Sequence, residues 1–526
     1  LPWIPREGVD FEDDLTNRLR EETKVVEVGT DCGWERKGFD PKRRFVAARV
    51  FDALPMYAFN PTLVNVASSA LLRQLFYKRV GEPIARPTVI VRDRMLRAVH
   101  ALRRNVHCVP RYTQQQFLAT YHGAKAARYA AALESLAERP VERADAHVRA
   151  FIKYEKIAEA GAVPRAISPR DPRYLAAAGR YLKAFEAPVF RALRKMFGGT
   201  VVFKGRSVFE QARLLRRYWS EFEDPVAIGL DASRFDQHVS VPFLEMVHSI
   251  WLTMAEGQDK QELSRLLSWT LHNKVTWTVE GKKVKYTLEG QRMSGDMDTS
   301  SGNCIIMCLM VWAYMESRGL KPPQYRLVNN GDDVVIVMNR TNLCLLDNVA
   351  PWFLEMGFRL KVEQPVDVFE HIVFCQTQPV WDGTVWRMLR SPVAAMAKDT
   401  VCLLAVNSFK DIKAWMTAVG EAGLSLCGGL PIVQEFYAMY VRLGGGKRNR
   451  AANLSGGLQW LSKKCTGKYT PITMQARLSF CTATGIEPST QYHLEQVFQS
   501  IGAAFWQAAD HPGFVIPGAF SDYLSL

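Results

Sequence analysis

The chain has 526 residues, a formal net charge of +14, a hydrophobic fraction of 48% and 10 cysteines. That length leaves room for more than one lobe around a large core, and the ordinary apolar content excludes a chain disordered throughout. The excess of Lys and Arg points to a polyanionic partner, either nucleic acid or an acidic membrane surface. The cysteines are scattered without a C-x2-C pair, which excludes a disulfide framework or a zinc ribbon and fits reduced, mostly buried thiols in a cytosolic setting.

In chain order, the first ~110 residues mix short apolar and basic segments. The uncharged run from Ala53 to Leu72 is long enough to span a bilayer. It carries Pro55, Asn60, Pro61 and Asn65, which makes it a poor membrane helix. The chain begins at Leu1 rather than Met, so a longer product with an anchor upstream is expected. An alanine-rich stretch, "FLATYHGAKAARYAAALESLAERPVERADAHVRAFIKYEKI", favours helix. The densest basic region follows, "VPRAISPRDPRYLAAAGRYLKAFEAPVFRALRKM".

From Pro225 the pattern turns to strands. "VAIGLD" reads as a strand ending in a carboxylate, and "ASRFDQHV" as a turn into a helix. "VTWTVEGKKVKYTL" reads as two strands around Glu280-Gly281. "TSSGNCIIMCLMVWAYMESRG" predicts a buried helix opened by small polar residues and closed by Gly319, with Cys304 and Cys308 as a core pair. "YRLV" and "VVIVM" flank an acidic pair as a hairpin, and "PVWDGTVWRML" forms another around Asp382-Gly383. The last ~125 residues read mostly as helices, interrupted by "RLGGGKRNR", a basic loop that lacks the Ser/Thr and upstream glycine of a Walker A motif.

The chemistry concentrates in "NNGDDVVIVM". Two adjacent carboxylates, Asp332 and Asp333, follow a glycine at the mouth of a strand. Unpaired, they repel, unless a cation sits between them. Asp231, ending the strand "VAIGLD", supplies a third carboxylate. If the strands are neighbours, the three converge and can share two hard divalent ions, one activating a hydroxyl and one stabilising a leaving pyrophosphate. The bland alternative is a solvated Gly-Asp turn. In "LDASRFDQHV", Asp236 lies close enough to contact a sugar hydroxyl, or serves only as an acidic residue at a helix N-terminus. In "QRMSGDMDTSSGNC", Ser294 and Gly295 make a flexible loop, and Asn303 offers a donor and an acceptor to a ribose 2'-OH together with Asp236. A helix N-cap cluster accounts for Thr299 and Ser300 as well. Arg165 and Arg170, after Lys153 and Lys156, form a set able to fork onto a triphosphate, or a solvated basic face.

Read in order, these stretches resemble the motifs of viral RNA-dependent RNA polymerases. "GLDASRFDQHV" resembles motif A, "MSGDMDTSSGN" motif B, "NNGDDVVIV" motif C, "MGFRLKVE" motif D, "VFCQTQPVW" motif E and "VPRAISPRDPRY" the basic finger motif F. The pattern is most similar to tombusvirus-like polymerases of positive-strand RNA viruses, with "FIKYEKI", "VVFKGRSVFEQARLL" and "ARLSFCTATGIEPSTQYHLE" as further support. The resemblance implies an α+β right-hand fold with fingers, a palm of antiparallel sheet flanked by helices, and a helical thumb. Its expected parts are 1–60 bridging fingers and thumb, 61–224 fingers with the basic motif at about 153–173, 225–245 palm, 246–290 a fingers insertion, 291–400 palm and 401–526 thumb.

It further implies that Asp231, Asp332 and Asp333 hold two Mg2+ ions, with Mn2+ as a substitute, for template-directed RNA synthesis from NTPs. Asp236, Ser294, Thr299 and Asn303 would select ribonucleotides, and Lys153, Lys156, Arg165 and Arg170 would hold the incoming triphosphate. Gly295, Phe374 and Cys375 would contact RNA. Lys361 would protonate the leaving pyrophosphate, with Arg359 as competitor and a charge pair with Glu363 as the bland reading of either. The implied partners are template and product RNA, viral or host replication proteins and a membrane-anchored upstream segment, with no DNA. The implied setting is a membrane-associated replication complex in the host cytoplasm. A reverse transcriptase and a non-enzymatic, capsid-like RNA-binding protein are the alternatives; preference for dNTPs would mark the first, and binding without incorporation the second.

Overall fold

The computed structural model describes residues 25–27, 48–49, 56–59, 61–75, 85–158, 162–279, 281–403, 409–445, 458–462 and 464–502. The elements that position the site are, in chain order, helix α1 (Leu63–Arg73), strands β1 (Val148–Ile152) and β2 (Ala166–Ile167), helices α2 (Pro172–Met196) and α3 (Val208–Trp219), strand β3 (Pro225–Ala232), helix α4 (Val241–Thr253), strands β4 (His272–Val279) and β5 (Lys282–Glu289), helix α5 (Thr299–Ser317), strands β6 (Tyr325–Asn330), β7 (Asp333–Asn339), β8 (Leu360–Val362), β9 (Thr377–Trp381) and β10 (Trp386–Arg390), and helices α6 (Pro392–Asp399), α7 (Phe409–Cys427) and α8 (Val433–Gly444).

The central sheet has the order β8-β3-β7-β6, antiparallel throughout. Its strands are apolar on both faces because each face meets its own core. Val226, Ile228, Leu230, Val334, Ile336 and Met338 pack with α2, α4 and α5. Ala227, Val335 and Val337 pack on the other side with α3, α7 and α8. Covering both faces explains why "VVIVM" shows no polar alternation. Helix α5 is buried on nearly all sides, Cys304 and Cys308 included, and so threads the first core rather than lying on it.

An outer sheet, β2-β1-β4-β5, stands beside the central one. Its β4–β5 hairpin turns at Gly281, as the pattern predicts, while β1 and β4 run parallel. The β6–β7 and β9–β10 hairpins also form as expected. The uncharged run near residue 60 becomes a strand, Tyr57–Phe59, and α1, whose start is capped by the Thr62 hydroxyl. Among the described residues no helix is long and apolar enough to cross a membrane. Within the first sixty residues, Ala48–Arg49 pairs with Val401–Cys402, and Tyr57 exchanges backbone hydrogen bonds with Ile157. Residues 446–450 of the basic loop, and Cys32, lie outside the described residues.

Arg170 joins the outer sheet to the loop that precedes α5. It is 3% exposed. Its guanidinium donates to both carboxylate oxygens of Asp296, at 2.6 and 3.0 Å, to the Ala146 carbonyl and to Asn273 Oδ1. A buried pair of this kind is costly to break, because removing one partner leaves the other charge unpaired. Arg170→Ala is therefore expected to destabilise the protein by about 3–5 kcal/mol, measured by denaturant unfolding, with Arg170→Lys recovering only part because it cannot fork.

Candidate active site

The acidic residues sit at one end of the central sheet. Gly331 turns the chain between β6 and β7 with φ of 82°, a conformation that side-chain-bearing residues resist. Asn329, fully buried beneath the turn, donates from Nδ2 to the Gly331 carbonyl at 2.7 Å. Cys304 Sγ accepts the Gly331 N–H at 3.2 Å. The turn that carries Asp332 is thus clamped from two sides.

Asp231 lies on β3, next to β7, and its partner across to β8 is Lys361. One step past the Val334–Leu230 pair, Asp333 and Asp231 share a face of the sheet. Asp231, Asp332 and Asp333 are all exposed to solvent. The surrounding groups still strip part of the water from Asp332 and Asp333. Desolvation pushes the Asp332 carboxyl above its ordinary range; its own backbone draws it back, and the Asp231 charge raises it further. Desolvation and the Asp332 charge push Asp333 up to about 6. Among the described residues no group of three or more His, Cys, Asp or Glu closes into a preformed metal cage. Crowded carboxylates on an open cleft instead fit a hard cation that keeps several waters and takes phosphate oxygens as further ligands.

Asp236 occupies a short helix, Phe235–His238, entered through Arg234 in the left-handed region. Asn303 Nδ2 donates to Asp236 Oδ1 at 2.7 Å, while Asn303 Oδ1 is buried without a hydrogen-bond partner. Burial pushes Asp236 up to about 6, against the Asn303 hydrogen bond. A cavity of about 240 Å³ opens here, lined by Arg165, Arg234, Asp236, Arg292, Ser294 and Asp332. The Ser294 hydroxyl accepts from Ser168 N–H at 3.1 Å and donates to the Ala166 carbonyl at 3.3 Å, tying the loop before α5 to β2. Gly295 allows the same approach: a Cβ there would lie 2.5 Å from Pro169 Cα.

Several residues expected to bind ligand do other work. Arg170 is the buried tie described above, outside the cavity. Lys156 donates to the Lys398 carbonyl on α6, and its enclosure pushes the ammonium down to about 8. Lys153 pairs with Glu155 at 2.9 Å, and the same carboxylate receives both arms of Arg165. Against the effect of burial, Arg165 and Lys153 hold Glu155 below the ordinary carboxylate range. Thr299 is committed to the carbonyls of Met293 and Asp296, at 2.8 and 2.9 Å, and closes its own loop. Gly295 packs closely on Pro169. Phe374 is buried in the second core, edge-on to Phe203. Cys375, in the left-handed region, stands beside the acids, with Sγ accepting from Asn330 Nδ2 at 3.3 Å and the thiol bonded to Asp333.

Lys361 is exposed and lines a second cavity of about 400 Å³ with Gly229, Glu363 and His371. Arg359 stands beyond the β3–β8 ladder; its carbonyl accepts from Ser233 N–H and its charge acts on His238. Glu363 adds to the repulsion felt by Asp333. Sequence reasoning missed Glu155, Asn329, Cys304 and Arg234 as site residues. Glu155, between two lysines in "FIKYEKI", carried a visible signal. Asp298, which caps the approach to α5, is buried and pairs with Arg292 at 2.9 Å and Trp251 Nε1 at 3.2 Å.

The sequence model described as viral RNA dependent RNA polymerase matches residues 34–505. The RNA-directed RNA polymerase of oat chlorotic stunt virus is 41% identical over 407 residues, covering 74% of this chain and 54% of that protein. That of tobacco necrosis virus (strain A) is 40% identical over 392 residues, covering 73% of this chain and 53% of that protein. That of carnation mottle virus is 35% identical over 488 residues, covering 91% of this chain and 62% of that protein. The chain thus spans about half the length of the first relatives it matches.

The raised Asp236 pKa fixes a pH dependence. A carboxyl whose folded pKa lies above its unfolded value contributes stability that is full below the unfolded pKa, near 3.8, and is lost as pH rises through about 6. Asp236→Asn, which keeps an acceptor for Asn303, is expected to raise Tm at pH 7.5, and the gain should shrink as pH falls through 6 towards 4. Thermal melts across that range check it.

Proposed function

The chain belongs to the viral RNA-dependent RNA polymerase family, and from that premise we propose that it copies an RNA template into RNA from NTPs, releasing pyrophosphate. The observation that carries this reading is the placement of Asp231 on β3 and of Asp332 in the turn that opens the neighbouring β7, with Asp332, Arg165 and Asp236 lining one cavity and Asn303 bonded to Asp236. On this reading the central sheet with α4 and α5 is the palm. The outer sheet and the region before it are the fingers, and the helices after residue 400 are the thumb.

Asp231 and Asp332, with Asp333 in support, would hold divalent ions, Mg2+ in the first place, which lower the pKa of the attacking 3'-hydroxyl and offset charge on the triphosphate. The remaining roles fall to the protein's own groups. Arg165 exchanges its fork from Glu155 to phosphate oxygens of the incoming NTP, since both acceptors suit the same guanidinium geometry. The ribose 2'-OH bonds at the Asp236–Asn303 pair, where Asn303 Oδ1 awaits a donor. That buried pair favours ribonucleotides, against a reverse transcriptase. The 3'-hydroxyl loses its proton to solvent, its oxygen bonds to the α-phosphorus, and the bond from that phosphorus to the α–β bridging oxygen breaks, so that pyrophosphate leaves. Lys361 Nζ gives a proton to the leaving pyrophosphate; its place directly across from Asp231 favours it over Arg359, which lies beyond the ladder. Base pairing with the template chooses the nucleotide, and basic side chains along the cleft meet the RNA backbone.

The test is template-directed NTP incorporation with and without Mg2+. Asp332→Asn is expected to lower synthesis by at least ~100-fold, the loss of several kcal/mol of charge stabilisation, while RNA affinity stays within about twofold. Synthesis that survives in Asp332→Asn would overturn the assignment, and RNA binding without any incorporation by the unaltered chain would favour a binding protein.

A further inference from the structure

Two consecutive residues of α5 reach two separate acidic parts of the site. Asn303 bonds Asp236, on the short helix after β3. Cys304 bonds the backbone of Gly331, immediately before Asp332. Neighbouring positions on a helix point about 100° apart, so two adjacent residues of one helix can address both elements. Asp236 and Asp332 line the same cavity.

Helix α5 cannot adjust one contact without the other. Cys304, Ile305, Ile306, Met307 and Cys308 are all 0% exposed, packed in the first core. A rod held on all sides shifts as a unit. The Gly331 turn, for its part, is held from below by Asn329. The Cys304 sulfur therefore closes a short chain of contacts: Asp236, Asn303, Cys304, Gly331, Asp332.

We infer that Cys304 is a positioning residue for nucleotidyl transfer, and that its hydrogen bond to Gly331 couples ribose recognition at Asp236 and Asn303 to cation binding at Asp332. The inference rests on the ribose-reading role proposed above. A 2'-hydroxyl seated on Asn303 fixes α5, α5 fixes the Gly331 turn, and the turn sets the Asp332 carboxylate for its ion. By linkage the effect runs both ways, so a ribonucleotide tightens cation binding and the cation tightens ribonucleotide binding.

The experiment uses the full chain with a template RNA and Mn2+ as the probe, its binding read by electron paramagnetic resonance. A non-hydrolysable ATP analogue and its 2'-deoxy counterpart are compared. The unaltered protein is expected to bind Mn2+ roughly fivefold more tightly with the ribonucleotide. Cys304→Val, which keeps the bulk and loses the acceptor, should abolish that difference; Cys304→Ser, which keeps an acceptor, should restore it. Cys304→Ala serves as the second non-bonding variant if Val disturbs packing, and unfolding temperatures report on that. Equal Mn2+ affinity with both nucleotides in the unaltered protein overturns the inference. So does a difference that persists in both non-bonding variants. Asn303→Ala separates the two readings: if the protein then still prefers the ribonucleotide, ribose reading itself fails and takes the coupling with it. If that preference is lost while the Cys304 variants keep the Mn2+ difference, only the coupling fails.

Discussion

Carboxylates of like charge stay together at the end of the central sheet because the strands that bear them cannot part. β3 and β7 are paired along six residues and gripped by a separate apolar core on each face. Repulsion among Asp231, Asp332 and Asp333 is small beside the burial of two such cores, so the fold can hold the acids in a cleft where each raises the pKa of the next. The turn between β6 and β7 adds a second restraint, through Asn329 below and Cys304 behind. Crowding of this kind stores electrostatic strain that a bound cation would relieve, and such strain commonly sets catalytic and ligand sites apart from the rest of a fold.

The basic side chains divide by burial. Arg170 and Arg292 lie inside, each paired with a buried aspartate of the loop before α5, Asp296 and Asp298. They set the shape of that loop, and with it the height of Ser294 above the cavity. Arg165 remains at the cavity wall, held by Glu155. Lys156 closes a contact to α6 instead. The same +14 excess thus serves two ends: structural forks in the interior and accessible charge along the cleft.

Helix α5 integrates the site. It begins at a loop pinned to β2 through Ser294 and Gly295, carries Asn303 and Cys304 one turn in, and continues through the first core as an apolar rod. On the proposed reading, sugar recognition and cation binding would not be independent modules on this scaffold, since Asn303 and Cys304 both take their positions from one helix.

Local pattern was enough to identify the elements of the site. The short apolar runs bounded by a carboxylate, the Gly-Asp-Asp turn and the small residues opening "TSSGNCIIMC" reported β3, β7 and α5 and the acids beside them, because backbone preference and turn chemistry act over a few residues. Asp236 and Asn303 were expected to act together on a ribose hydroxyl, but their hydrogen bond to each other came from the fold. What a charged side chain does with its charge was not legible. Arg165 and Arg170 look alike five residues apart, yet one lines the cavity and the other is sealed against Asp296. Phe374 and Gly295 likewise found partners in distant parts of the chain, while Thr299 turned back on its own loop. The partners of Arg170, Phe374 and Gly295 lie more than a hundred positions away, so only the tertiary structure decided which side chains line the cavity and which hold its walls together.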